Sequence, residues 1–169
     1  RRRHTRLPTR SRGLGDVYKR QVLNIPDMML AGGASYTAVA FDLLDGIQGL
    51  WLEDDFSELP ADTIRVRAIH TAPDVPQVDI WNIPAMGEPG ILYENVDFGV
   101  AGQYLELPVG EYTLGFDVND DGTPDVIFNV PELPAGTVAN IFAVSTSPSD
   151  VYLRAQLEDG SLVRIDPAT

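Results

Sequence analysis

The densest run of oxygen-bearing side chains in the sequence is Asp117-Val118-Asn119-Asp120-Asp121-Gly122-Thr123-Pro124-Asp125. Asp117, Asn119 and Asp121 stand at alternate positions ahead of a glycine that permits a tight turn, which is the first half of a calcium loop. Ca2+ takes six to eight oxygens. Asp117, Asn119, Asp121 and Asp125 with the Thr123 carbonyl supply about five, leaving water to complete the shell. An EF-hand does not fit, because Phe128 occupies the place of the bidentate glutamate and strand patterns flank the loop. The same residues also read as a hairpin turn, with Asn, Asp and Gly supplying the turn geometry and the acids solvated.

Three other groups of residues invite chemistry. His70 is the sole histidine after residue 21 and stands near Asp74 and Asp79, a set that suggests a general base or a metal ligand. It has no second nitrogen ligand, and the alternative is a histidine that ends a strand while Asp74 shapes the Pro73 to Pro76 turn. Ser145, Ser147 and Ser149 lack a nucleophile-elbow context and are expected in a loop. Trp81 alternates against Val78 and Ile80, so it either presents an aromatic platform for a ligand or is buried as sandwich tryptophans commonly are. Tyr112, opening a strand after a Pro-containing turn, is expected to bond back to that turn as a tyrosine corner does. Adjacent acids such as Asp54-Asp55 and Asp120-Asp121 carry little information in so acidic a chain.

The elements that must hold these residues are strands. Apolar side chains recur at every second position in Ile64, Val66, Ala68; Val78, Ile80; Tyr112, Leu114, Phe116, Val118; Val126, Phe128, Val130; and Val151, Leu153, Ala155, Leu157. This is the period of half-buried β-structure. Pro and Gly punctuate the intervals and no window shows a helical period, so the expected fold is an all-β, Ig-like antiparallel β-sandwich.

Residues 1–21 differ in character from the rest of the chain. They hold eight of the twelve basic residues and show no hydrophobic periodicity, and Asp16 to Gln21 resembles a translated sequencing-library adapter. They are read as a non-native segment and excluded from fold reasoning. Residues 22–169 then hold four basic residues, all arginine, against 24 acids. Nucleic acid is therefore not an expected partner, since phosphate binding needs clustered cations. Cysteine is absent, which excludes thiol catalysis and cysteine-based zinc sites. No apolar run approaches the ~20 residues that span a bilayer as a helix.

A long internal repeat emerges when Leu30-Ala31-Gly32-Gly33-Ala34-Ser35-Tyr36-Thr37 is laid on Leu133-Pro134-Ala135-Gly136-Thr137-Val138-Ala139-Asn140. Leu52-Glu53-Asp54 recurs as Leu157-Glu158-Asp159. A spacing of that length is a whole domain and not a solenoid turn. Residues 22–55 are thus read as the C-terminal tail of a truncated first repeat, 56–62 as a linker, and 63–167 as a complete second repeat. The run Arg65-Val66-Arg67-Ala68-Ile69-His70-Thr71-Ala72-Pro73-Asp74-Val75-Pro76-Gln77-Val78-Asp79-Ile80 resembles the DUF4397 family, with Thr71-Ala72 departing slightly from its Ala-Ser. Val96-Asp97-Phe98-Gly99 and Leu107-Pro108-Val109-Gly110-Glu111-Tyr112 are similar to the family's later motifs. The resemblance implies a β-sandwich, often in tandem, in exported or surface-attached prokaryotic proteins, with no catalytic residue to carry over.

The expected function is a non-enzymatic secreted or cell-surface repeat module with a structural, spacer or adhesion role, stabilised by Ca2+ at the Asp117 to Asp125 loop. Its partners would be neighbouring repeats of the same chain and a surface protein or carbohydrate. The alternative is a carbohydrate- or protein-binding module built around Trp81, and a third reading is a hydrolase around His70.

Overall fold

A computed structural model describes residue 23, residues 29–147 and residues 150–169. The adapter-like segment 1–21, the Val22 boundary and Ser149 lie outside the described residues. Among the described residues there are eleven strands and no helix, as the period-two pattern predicts. They are β1 (Ser35–Phe41), β2 (Gln48–Asp54), β3 (Thr63–His70), β4 (Val78–Asn82), β5 (Gly90–Val96), β6 (Leu105–Pro108), β7 (Tyr112–Asp117), β8 (Val126–Val130), β9 (Val138–Ser147), β10 (Asp150–Leu157) and β11 (Leu162–Ile165).

Three sheets result. β3 to β11 form a sandwich of a five-stranded sheet, in the order β11-β10-β9-β3-β6, and a four-stranded sheet, in the order β5-β4-β7-β8. All pairs are antiparallel except β3 with β9, which run parallel from Arg65 opposite Val138 to His70 opposite Ala143. β1 and β2 make a separate antiparallel hairpin.

The core follows from alternation. Ile64 and Val66 of β3, Ala139, Ile141 and Ala143 of β9, and Leu153 and Ala155 of β10 point inward from the larger sheet. They meet Val78, Ile80, Leu114, Phe116, Phe128 and Val130 from the smaller one. Tyr112 closes one end: its hydroxyl donates to the Pro108 carbonyl at 2.6 Å, the tyrosine-corner bond. One expectation needs correcting. Ser145 and Ser147 do not lie in a loop, because β9 continues through them to Ser147 and pairs with β10 as far as Asp150. The local alternation of Val144 and Thr146 with small residues favours an extended strand over a turn at that point.

Alternation also decides what the larger sheet shows to the outside. With Ile64, Val66 and Ala68 turned inward, Arg65, Arg67 and Ile69 of β3 face outward, and so do Asn140, Phe142 and Val144 of β9. Sheet faces of this kind are normally solvated, yet Arg65, Arg67, Ile69, Asn140 and Phe142 are all buried. The β1–β2 hairpin and the segment that follows it cover them.

Candidate functional site

The hairpin docks through one of its two faces. Leu52 of β2 packs with Ile69 and Phe142, flanked by Val39, Leu50, Ala101 and Val144. Full burial of side chains of this size contributes about 1.5–3 kcal/mol each. At one end of this patch Phe41 meets Phe98 edge-on at 5.4 Å between ring centroids. Phe98 in turn stands edge-on to His70 at 6.0 Å. Gly99 allows the approach of Phe41. Its φ is +80°, and a β-carbon there would sit 3.2 Å from the Phe41 ring.

At the other end the contact is polar and fully desolvated. The Arg67 guanidinium donates to Asp54 Oδ1 at 2.6 Å, to the Glu53 carbonyl at 3.0 Å and to Asn140 Oδ1 at 2.7 Å. Its plane lies over the Tyr104 ring, 4.4 Å from the centroid. Asn140 Nδ2 adds a bond to the same Asp54 oxygen at 3.0 Å, and Thr37 Oγ1 donates to Asp54 Oδ2 at 2.7 Å. Both ion-pair partners are nearly sealed, at 8% and 5% side-chain exposure. Burial pushes the Tyr104 hydroxyl pKa up despite the neighbouring Arg67, so Tyr104 remains a neutral phenol against the pair. Two residues earlier on the same strand, Arg65 holds the connecting segment. It donates to the carbonyls of Asp55 and Ser57 at 3.0 and 3.1 Å and to Glu106 at 2.6 Å.

His70 borders this junction through Phe98. Its ring is 1% exposed. Nδ1 accepts the Ala72 N–H at 3.3 Å, so the proton sits on Nε2, which donates to the Pro76 carbonyl at 2.9 Å. Burial lowers its pKa, outweighing the upward pull of the Pro76 and Val75 carbonyls and of Asp97. Asp74 is exposed, and Asp79 accepts the Asn95 N–H at 2.6 Å, so the structure does not bring the three together.

The Asp117 to Asp125 loop links β7 to β8. Asp117 is 1% exposed and closes the loop from below. Its Oδ1 accepts the N–H groups of Asn119 and Asp120 at 3.2 and 2.8 Å, and its Oδ2 that of Gly122 at 2.7 Å. Burial alone would raise its pKa, but the N–H groups of Gly122, Asn119, Asp120 and Asp121 together hold it below the usual carboxylate value. Asn119 Oδ1 accepts the Asp121 N–H, Asp121 Oδ1 the Thr123 N–H, and Asp125 Oδ2 the Val118 N–H, at 3.0, 2.9 and 2.9 Å. Each proposed calcium ligand with a side-chain oxygen is therefore engaged with the loop's own backbone. Among the described residues no three His, Asp or Glu side chains are gathered as a metal-holding group.

Trp81 is not in the core. It pairs with Gly115 on one side and Ile91 on the other, so it lies on the outer face of the smaller sheet, half-buried, with Gly115 opposite Ile127 beyond it. A β-carbon at Gly115 would come within 2.6 Å of Pro124 and 2.7 Å of Ile83, so an apolar row crosses this face. Tyr93 donates to the carbonyls of Val66 and Gln103, its pKa pushed up to about 12 by burial, and Tyr104 and Tyr112 have the places given above.

Sequence reasoning did not single out Arg65, Arg67, Asp54 and Asn140, which hold the hairpin and the segment after it to the sandwich. The signal was present: two of the four arginines after residue 21 alternate along one strand that is otherwise apolar.

Residues 12–81 match the family model described as domain of unknown function, DUF4397. Over that stretch the chain is similar to the DUF4397 family. The matched stretch runs across the β1–β2 hairpin, the connecting segment and β3 into β4, so both sides of the junction fall within one DUF4397 match. It also takes in residues 12–21. No curated protein and no solved structure matches the chain. Among the described residues no helix is long and apolar enough to cross a membrane.

Proposed function

We propose that this chain is a non-enzymatic structural module of a secreted or cell-surface tandem-repeat protein. Its specific task is to clamp the closing hairpin of one repeat onto the outer sheet face of the next. The observation that carries the reading is the Arg67–Asp54 pair. It joins the β1–β2 hairpin to the sandwich through a sealed charge contact, where a flexible spacer would need only a solvated linker. Arg65 extends the clamp to the linker itself, so the orientation of consecutive units is fixed by side chains on both sides of the joint. The acidity of residues 22–169 suits a soluble extracellular surface. The family resemblance supports the same setting.

The test is hydrogen exchange on the parent chain and one variant. Arg67→Ala should release amide protection in β1 and β2 while the sandwich strands β7 and β8 keep theirs. Equal loss everywhere, or none anywhere, would sink the clamp.

A second reading, a carbohydrate- or protein-binding face, draws on Trp81. Its ring lies on an outward sheet face, and its indole N–H is buried without an acceptor. Quenching of Trp81 fluorescence on titration with glycans, read in a Trp51→Phe background and abolished in Trp81→Ala, would establish it.

A further inference from the structure

The internal repeat makes β1 the counterpart of β9: Ser35, Thr37 and Val39 correspond to Val138, Asn140 and Phe142. The two strands differ in one respect. β9 is paired on both edges, with β10 antiparallel and with β3 parallel. Among the described residues β1 is paired on one edge alone, with β2. The open edge is not flush with solvent. A groove of about 500 Å³ follows it, with residues 37–43 in unbroken succession along one wall and Phe142, Val144, Arg154, Gln156 and Leu162 along the other. Successive residues of a strand point to opposite faces, so a cleft that touches each of residues 37–41 of β1 runs along a strand edge. No β2 residue lines it, so the edge is the unpaired one.

The faces that meet across the junction are also counterparts. Thr37 and Val39 of the hairpin look onto the sheet that carries Asn140 and Phe142, and Thr37 Oγ1 lies 3.4 Å from Gln156 Oε1. Equivalent surfaces packed against each other make a contact of pseudo-two-fold type, the intramolecular form of an isologous interface. In that symmetry β2 lies by β3, where Arg67 reaches Asp54. The place by β10 that mirrors β3 is the groove.

We propose that the open edge of β1 takes a parallel strand of the β3 type, the pattern Ile-Arg-Val-Arg-Ala-Ile, contributed by a repeat preceding the hairpin. The register follows from β3 on β9. The residue equivalent to Arg67, opposite Asn140 there, comes opposite Thr37 here. It enters beside Gln156 and the Leu157-Glu158-Asp159 segment, which repeats Leu52-Glu53-Asp54. An arginine at that point regenerates the clamp in mirror image. Strand addition of this kind draws affinity from main-chain bonds and selectivity from alternate side chains. Because the two units meet through the same face, the repeats associate in closed pairs, and any third unit attaches elsewhere. This inference rests on the docked hairpin of the proposed function.

The experiment titrates the full chain into a fluorescent peptide carrying residues 61–72, Ala-Asp-Thr-Ile-Arg-Val-Arg-Ala-Ile-His-Thr-Ala, and follows anisotropy. A scrambled peptide of equal composition controls for attraction of a basic peptide to an acidic protein. Two further peptides are N-methylated on alternate amides of the strand, one set each. Saturable binding is expected, at least tenfold weaker for the scrambled peptide and for one N-methylated set, with the other set unaffected, because only one edge of the added strand faces β1. Absence of saturation, equal binding by the scrambled peptide, or equal tolerance of both methylated sets overturns the proposal. Hydrogen exchange on the same sample separates the two levels. Protected β1 and β2 amides without peptide binding remove this inference alone, whereas unprotected amides remove the docked hairpin and the groove with it.

Discussion

Two carboxylates are buried in this molecule in opposite ways. Asp54, at the end of β2, is held by a guanidinium from β3, an amide from β9 and a hydroxyl from β1, drawn from 13, 86 and 17 residues away. Asp117, at the end of β7, is held by N–H groups two, three and five residues ahead. Desolvation of either charge is costly unless it is matched. Asp117 is matched within its own loop, while Asp54 is matched only where the β1–β2 hairpin meets β3 and β9. The acids of the Asp117 to Asp125 run are therefore bonded within their own loop. The plainer Leu-Glu-Asp and Arg-x-Arg segments carry the long-range contact.

The sharpest way to break that contrast is Arg67→Ala. It leaves the buried Asp54 with its only cationic partner gone, a change that typically costs about 3–5 kcal/mol. Urea unfolding should show that loss, and the Arg67→Ala/Asp54→Leu double variant should recover a large part of it by removing the unmatched charge. No recovery would mean the arginine acts by packing on Tyr104 and not through the pair. Gly99→Ala comes next. It forces φ of +80° on a β-carbon and pushes it onto the Phe41 ring. Strain of this kind costs about 1–3 kcal/mol. Because the clash is with the hairpin, a Gly99→Ala/Phe41→Ala double variant should be less destabilised than the two single losses added together.

Much of the fold was legible because alternation is a local signal. The inward sets Ile64, Val66, Ala68 and Leu114, Phe116 are read directly from spacing, and the tyrosine corner at Tyr112 follows from the residues around it. The parallel pairing of β3 with β9 was not legible, since it joins segments far apart in the chain and leaves no trace in either. The docked hairpin was hidden for a related reason. Arg65 and Arg67 look like ordinary solvated positions of a half-buried strand, and only the covering sheet, which the same alternation cannot reveal, turns them inward. Trp81 was left between core and surface, and the register opposite Gly115 decides for the surface.

His70 gives a smaller effect with a defined sign. Its native pKa lies below the ordinary 6.5, so the unfolded chain takes up a proton first as pH falls through 6.5. Stability contributed by the neutral ring is present above 6.5 and is lost from there downward, until the native ring also protonates. One proton sets the limiting slope at about 1.4 kcal/mol per pH unit. Melting temperature between about pH 8 and pH 5 should fall with a step that His70→Phe removes. Through Phe98 and Phe41 the step should appear in hairpin protection as well as in global unfolding.

The smallest effect concerns calcium, and it tests the other half of the comparison. If the Asp117 loop is closed by its own N–H groups, its oxygens have little to gain from a cation, and melting in millimolar Ca2+ should match melting in chelator at fixed ionic strength. Asp117→Ala should still destabilise, because three backbone donors lose their acceptor. A bound ion would leave a different mark. Native-state binding at a hundredfold excess over Kd raises stability by about 2.7 kcal/mol, and that gain would vanish in Asp121→Ala, where the loop keeps its Asp117 closure but loses an exposed ligand. Such a shift would mean the loop opens its backbone bonds to take the metal. The two buried carboxylates would then differ in partner and no longer in kind.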